Sequence, residues 1–232
     1  RNSRARGALL AVAASMTLAQ GAGNSSAQRA LAGASGPAPA FTPAALPADF
    51  KPLLALELAN QLAHMGQASR ARGVVRDIQA TPNPTPALSA ALLHTEVLVS
   101  AWGLGSASAD KARKLMESVK SAIAGLRDPA DKAKAASAAA VAIAAQSRTP
   151  EQTAQPFLAQ AAEAAAQVQD PAQKQAATDH LQLASGHVLL AGASAAARLG
   201  HFDRATDLAT RLQTAASQAK SPLVSASLLA ML

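Results

Sequence analysis

The chain has 232 residues, half of them apolar, with a formal charge of +7, 2% aromatic residues and no cysteine. That length and apolar content can bury the core of one ordinary domain or two small ones, and the missing cysteines exclude disulfides, thiolate chemistry and cysteine-held metal. Arg1, Arg4 and Arg6 supply part of the charge, and the +4 spread over the remainder is too thin a field to argue for nucleic acid or an anionic membrane.

Alanine dominates the apolar half, and it is the best helix former because it loses no side-chain entropy on ordering. Branched and aromatic residues that favour strands are sparse, so the expected fold class is all-α, with a core of Leu, Val, Ile and Ala.

In chain order, the basic "RNSRARG", the apolar "ALLAVAASMTLA" and the small residues after it form the three parts of a secretory signal peptide. Residues 1–22 are therefore expected to be a targeting leader and the protein periplasmic or secreted. An organelle transit peptide is the alternative, because no acidic residue precedes Asp49. The apolar run is too short for an ordinary membrane span, and no transmembrane helix is expected in the mature chain. Residues 23–47, rich in Ala, Gly, Pro and Ser, read as a flexible linker, which leaves 48–232 for the folded domain.

From Leu46 onward two helix boundaries alternate. In the first, a proline opens a helix after a polar turn, at Pro86, Pro129, Pro171 and Pro222. Proline fits the first helical turn, where its absent N–H would have no partner, and a preceding Asp or Ser caps that turn. The second boundary is "HMGQASRA" at Gly66, "GLGSASADKA" near Gly105, "QSRTPEQTA" near Thr149 and "RLGHFDRA" at Gly200. Here a glycine is expected to end one helix in a left-handed conformation, and Ser, Thr or Asp to cap the next. With apolar residues spaced by three and four between the boundaries, the expected helices are 49–65, 67–79, 86–102, 109–126, 129–147, 151–168, 171–199, 202–219 and 222–232. Alternating boundaries at a period near 42 residues make each unit a helix hairpin, and such hairpins stack into a solenoid. The last helix has no partner, so it is either a cap or the start of a further hairpin.

Two of these corners resemble the tetratricopeptide repeat. "LANQLAHMGQASRA" places Leu58, Ala59, Gly66 and Ala71, and "GASAAARLGHFDRA" places Gly192, Ala193, Gly200, Phe202 and Ala205, at the family's spacing. The middle hairpins depart from it, since Ala107 and Thr149 stand where the turn glycine belongs, and the family's shorter repeat leaves HEAT-type hairpins as the alternative. The resemblance implies a right-handed α-solenoid of about four hairpins plus a terminal helix. It also implies a concave groove lined by the first helix of each hairpin, used for binding proteins or peptides. Carried over from the turn positions, its groove residues are Asn60, His64, His94, Gln146, His187, Ser194 and Arg198, all polar on Ala/Leu-rich helices. The charged clamp of chaperone-binding members is not reproduced, because Leu56 stands where its first lysine belongs.

No catalytic constellation emerges: there is no nucleophile elbow, no phosphate-cradling glycine loop and no pair of histidines at the helical zinc spacing. His180 and His187, seven apart beside Asp179, lack the converging third and fourth ligands of a metal site, so no metal or cofactor is expected. His180 reads as a surface residue and His187 as partly buried or in the groove. Asp110–Lys114 and Asp207–Arg211 read as pairs along exposed helix faces. Arg70, Arg72, Arg76 and Lys111, Arg113, Lys114 form two basic clusters, but no aromatics interleave to stack bases. "AAAVAIAA", Ala138 to Ala145, reads as a central buried helix, Trp102 as packing across a hairpin, with an exposed partner-binding residue as the alternative, and Phe202 as the packing aromatic of its corner. The expected function is an exported, non-enzymatic scaffold that binds a protein or peptide partner in its groove. The alternatives are an accessory domain of a larger envelope or secretion assembly, and a helical-repeat enzyme acting on polysaccharide.

Overall fold

The computed structural model describes residues 50–232 apart from 81 and 83; the expected leader and linker lie outside the described residues. The described residues are helical throughout and contain no strand. In chain order the helices are α1 (Phe50–His64), α2 (Ala68–Gln79), α3 (Pro86–Trp102), α4 (Ala109–Gly125), α5 (Pro129–Gln146), α6 (Pro150–Gln167), α7 (Pro171–Arg198), α8 (Phe202–Gln218) and α9 (Pro222–Leu229). The expected boundaries hold to within a residue, except that the last helix stops at Leu229.

The proline corners are built as the sequence implies. Thr85 Oγ1 accepts from the Leu88 N–H at 3.2 Å, Asp128 from the Ala130 N–H at 2.7 Å, Asp170 from the Gln173 N–H at 2.8 Å and Ser221 from the Val224 N–H at 3.5 Å. Each bond satisfies one N–H left open by the first turn.

The other corners are less uniform. Gly66 and Gly200 are left-handed, with φ of 77° and 78°. At Gly200 the chain closes with His201 N–H to the Ala196 carbonyl at 2.9 Å and Gly200 N–H to the Ala197 carbonyl at 3.1 Å, the double bond of a Schellman cap. Gly66 repeats the pattern, with Gln67 N–H on the Leu62 carbonyl at 2.8 Å. The two middle hairpins turn differently, through a 3₁₀ turn at Leu104–Ser106 and through an extended Ser147. The expected caps of the second helices do not form: Gln67, Ser108, Thr149 and His201 make no side-chain cap bond.

Packing follows one rule along the chain. The first helices α1, α3, α5, α7 and α9 stack on one another in order, and α2, α4, α6 and α8 each pack on their own first helix and on the next one. The result is two layers of stacked hairpins, and alanine sets their spacing. On α5, Ala135, Ala136, Ala139, Ala140, Ala142 and Ala144 are all buried against α3, α6 and α7, as expected for a central helix apolar on most of its circumference. Larger side chains fill what alanine leaves, Val97, Val119, Ile123, Leu126 and Phe157 in this cluster, and Leu56, Val75, Ile78, Leu88 and Val99 in a second one between α1, α2 and α3. Trp102 packs against both clusters and joins them.

On α7, glycine permits close approach. A Cβ at Gly186 would run into Leu228 of α9, and one at Gly192 would meet Leu208 of α8 at 3.1 Å.

Two expectations about α8 are corrected. Phe202 is 69% exposed, because the buried stripe of α8 runs through Leu208, Leu212 and Ala216 and residue 202 falls about a third of a turn away from it. Arg211 pairs not with Asp207 but with Glu151 at the start of α6, at 3.1 Å, and Arg204 joins it at 3.0 Å. Glu151 is more enclosed than Asp207, so the charge that ties the third hairpin to the fourth wins over the helix-surface pair. Asp110 likewise pairs with Arg113 instead of Lys114, at 3.4 Å.

Candidate functional site

The first helices meet the second helices on one side and each other on two flanks, which leaves one face on each for solvent or a ligand. On α3, Val97 and Ala101 join the core shared with α5, Leu88 and Val99 turn to α1 and α2, and Ser100 and Glu96 reach Ser118 of α4. His94 and Trp102 lie on the remaining side together with Thr95 and Leu98, both buried, and Trp102 there packs into both core clusters. On α5 the same construction leaves Asp131, Lys134 and Ala138, and on α1 it leaves Glu57, Asn60 and His64. On α7, Ala177 and Val188 enter core clusters while Gly186 and Gly192 close on α8 and α9. That leaves a stripe through His180, His187, Ser194 and Arg198, spaced by seven and four residues.

Three of the expected groove residues are brought together with two that sequence reasoning passed over. His64 meets Trp102 edge to face, ring centroids 5.2 Å apart. Asn60, one turn before His64, has its Oδ1 buried without a hydrogen-bond partner, as is the Trp102 indole N–H. His94 lies within electrostatic range of His64, of Lys134 on α5 and of His180 on α7, so one basic or imidazole side chain from each of four successive first helices shares this face. Burial, with the Lys134 charge next, lowers the His94 pKa to about 3; burial lowers that of His64 against the pull of Glu57, and burial and Lys134 lower that of His180 against the pull of Asp179. His180 is thus half-buried and not the surface residue expected. Among the described residues, the side chains of His64, His94, His180 and Lys134 form no hydrogen bond or ion pair.

The other expected residues divide. His187 lies on the α7 stripe but is 6% exposed, and burial alone lowers its pKa to about 4. Ser194 and Arg198 are exposed near the end of α7, where the Arg198 Nε–H donates to the Ser194 carbonyl at 3.2 Å. Gln146 is committed elsewhere: its amide donates to the Ala101 carbonyl at 2.9 Å and the Ala142 carbonyl at 2.6 Å, and its oxygen accepts the Gly105 N–H at 2.6 Å. It pins the end of α5 to the α3–α4 connection. Gln146→Ala leaves the Gly105 N–H and the Ala101 carbonyl without these bonds, and is expected to cost about 1–3 kcal/mol of stability in urea denaturation. A ligand-facing Gln146 would show no such loss.

Lys134 was not singled out in the sequence, and His180 was read there only as a surface residue beside Asp179, because their nearness to His94 depends on how α3, α5 and α7 stack. The basic clusters Arg70–Arg72–Arg76 and Lys111–Arg113–Lys114 lie on α2 and α4, in the other layer. Among the described residues, no three His, Asp or Glu side chains are placed to hold a metal ion, and no helix is long and apolar enough to cross a membrane. No protein-family model, curated protein or solved structure matches the chain.

Proposed function

We propose that the chain is a non-enzymatic helical-repeat scaffold that binds a protein or peptide partner along the face shared by α1, α3, α5 and α7. The observation that supports this reading is that His94 lies within electrostatic range of His64, Lys134 and His180, which groups side chains from four successive first helices. Asn60 Oδ1 and the Trp102 indole N–H are buried beside this grouping without a hydrogen-bond partner, and such groups are retained at a cost.

We take the hairpins to be tetratricopeptide-like and right-handed. The Schellman corners at Gly66 and Gly200, the small Gly192 where α7 closes on α8, and Ala71 and Ala205 early in the second helices support that reading. The signal-like residues 1–22 support export to the periplasm or beyond.

The test selects peptides from a displayed random library on the full chain and maps the bound peptide by amide hydrogen exchange. Protection concentrated on α1, α3, α5 and α7 is the expected result. A footprint on the second helices, or a library yielding no binder, overturns the reading.

A further inference from the structure

Glycine serves two different ends at the turns of this chain. At Gly66 and Gly200 φ is positive and an added Cβ would meet nothing within 4 Å, so glycine is there for its backbone angle. Gly103 and Gly105, on the connection between α3 and α4, have no positive φ. What a Cβ lacks there is room. At Gly103 it would run into the Arg72 guanidinium of α2 and meet Leu115 of α4 at 3.3 Å, and at Gly105 it would run into the side-chain amide of Gln146 at the end of α5. The bare backbone of this connection thus admits one polar side chain from the hairpin before it and one from the hairpin after it.

The two side chains are held in different ways. Gln146 is bonded to the second hairpin, accepting the Gly105 N–H at 2.6 Å and donating to the Ala101 carbonyl at 2.9 Å. Arg72 forms no side-chain hydrogen bond or ion pair among the described residues, and its Nε is buried. Its guanidinium lies against the C-terminal end of α3, where the helix dipole favours a cation. Trp102, one residue before Gly103, packs into both core clusters. Over Trp102–Gly105 the second hairpin therefore touches the first and the third at once. In a solenoid, stability is the sum of what each repeat holds by itself and what it shares with its neighbours, and the shared part decides which repeats open together.

We infer that the α3–α4 connection is a two-sided latch, which Arg72 closes onto the first hairpin and Gln146 onto the third, so that α1, α2 and α5 open with α3 and α4 and not hairpin by hairpin. Such a latch acts on the cooperativity of the solenoid and does not depend on what the chain binds.

Two double-mutant cycles on the full chain, read by urea denaturation and by amide hydrogen exchange, test the latch. Gly103→Ala and Gly105→Ala are each expected to raise the unfolding constant roughly tenfold, because the new methyl displaces the side chain that lies on the glycine. With Arg72→Ala already in place, Gly103→Ala is expected to cost roughly threefold less or better, since the guanidinium in its way is gone. Gln146→Ala is expected to spare Gly105→Ala in the same manner. In the unaltered chain, amides of α1, α2 and α5 are expected to share one urea dependence of exchange. Arg72→Ala is expected to speed exchange in α1 and α2 roughly tenfold while α6 and α7 keep their rates. That single truncation, on a half-buried side chain, carries the test if the glycine variants do not fold.

Additive costs in either cycle overturn the inference, as does a first hairpin that exchanges independently of α5 in the unaltered chain. Exchange that Arg72→Ala speeds equally in every helix, or in none, would make Arg72 no part of a latch and overturn it as well.

Discussion

Phe157→Ala is expected to lower the unfolding free energy by about 3–5 kcal/mol, a large share of the roughly 5–15 kcal/mol that holds a domain folded. Phe157 is 4% exposed in the central cluster, on the α6 face turned toward α5, among Ala139, Ala140, Ile143, Ala154 and Ala161. Alanines have no rotamers with which to swing into a void. The cavity left by the ring closes only if whole helices shift, and α5 is held on three sides by α3, α6 and α7. Phe157→Leu is expected to recover more than half of the loss. The internal control is Phe202→Ala, at a side chain 69% exposed, with an expected change within about 0.5 kcal/mol. Urea denaturation of the variants reads both, and equal losses at the two phenylalanines would contradict this packing.

The same alanine-rich composition explains what was legible in the sequence and what was not. Helix boundaries were readable because Pro86, Pro129, Pro171 and Pro222 act within one turn, through caps that involve residues no more than three apart. Gly66 and Gly200 were readable for the same local reason, each holding a φ that other residues resist. What failed was assigning faces. On a helix such as α5, where alanine occupies nearly every turn, hydrophobic contrast does not say which side meets a neighbour. Gln146 therefore looked like a groove residue when it bonds across to the α3–α4 connection, 41 residues earlier in sequence at Gly105. Phe202 looked like a corner anchor because its size was read and its register was not. Arg211 was given to Asp207, four residues away, because only a folded chain brings Glu151 within 3.1 Å of it. Asn60, His64 and His94 came from the tetratricopeptide resemblance, carried over from the turn positions, whereas their grouping with Lys134 and His180 depends on how four hairpins stack.

The stacking that encloses these imidazoles is expected to make the fold acid-labile. A free imidazole titrates near 6.5, whereas burial holds folded His94 near 3 and folded His187 near 4. Between those values the unfolded chain binds protons that the folded chain refuses, so stability is fully present above pH 6.5 and falls as pH drops toward 4. His64 and His180, also lowered by burial, act in the same direction; Asp131, raised by burial, acts in the opposite one. By pH 5 the unfolded imidazoles are almost fully protonated, and His94 and His187 are each expected to have lost up to about 2 kcal/mol of stabilisation. Urea midpoints taken at half-unit steps from pH 7.5 to 4.5 read the loss. His187→Leu separates the two buried rings: it removes a buried imidazole that makes no hydrogen bond among the described residues, so its variant is expected to lose less stability on acidification while Phe157 and the helix caps are untouched. A stability that stays level down to pH 4.5, or rises, would mean that neither ring is enclosed as described.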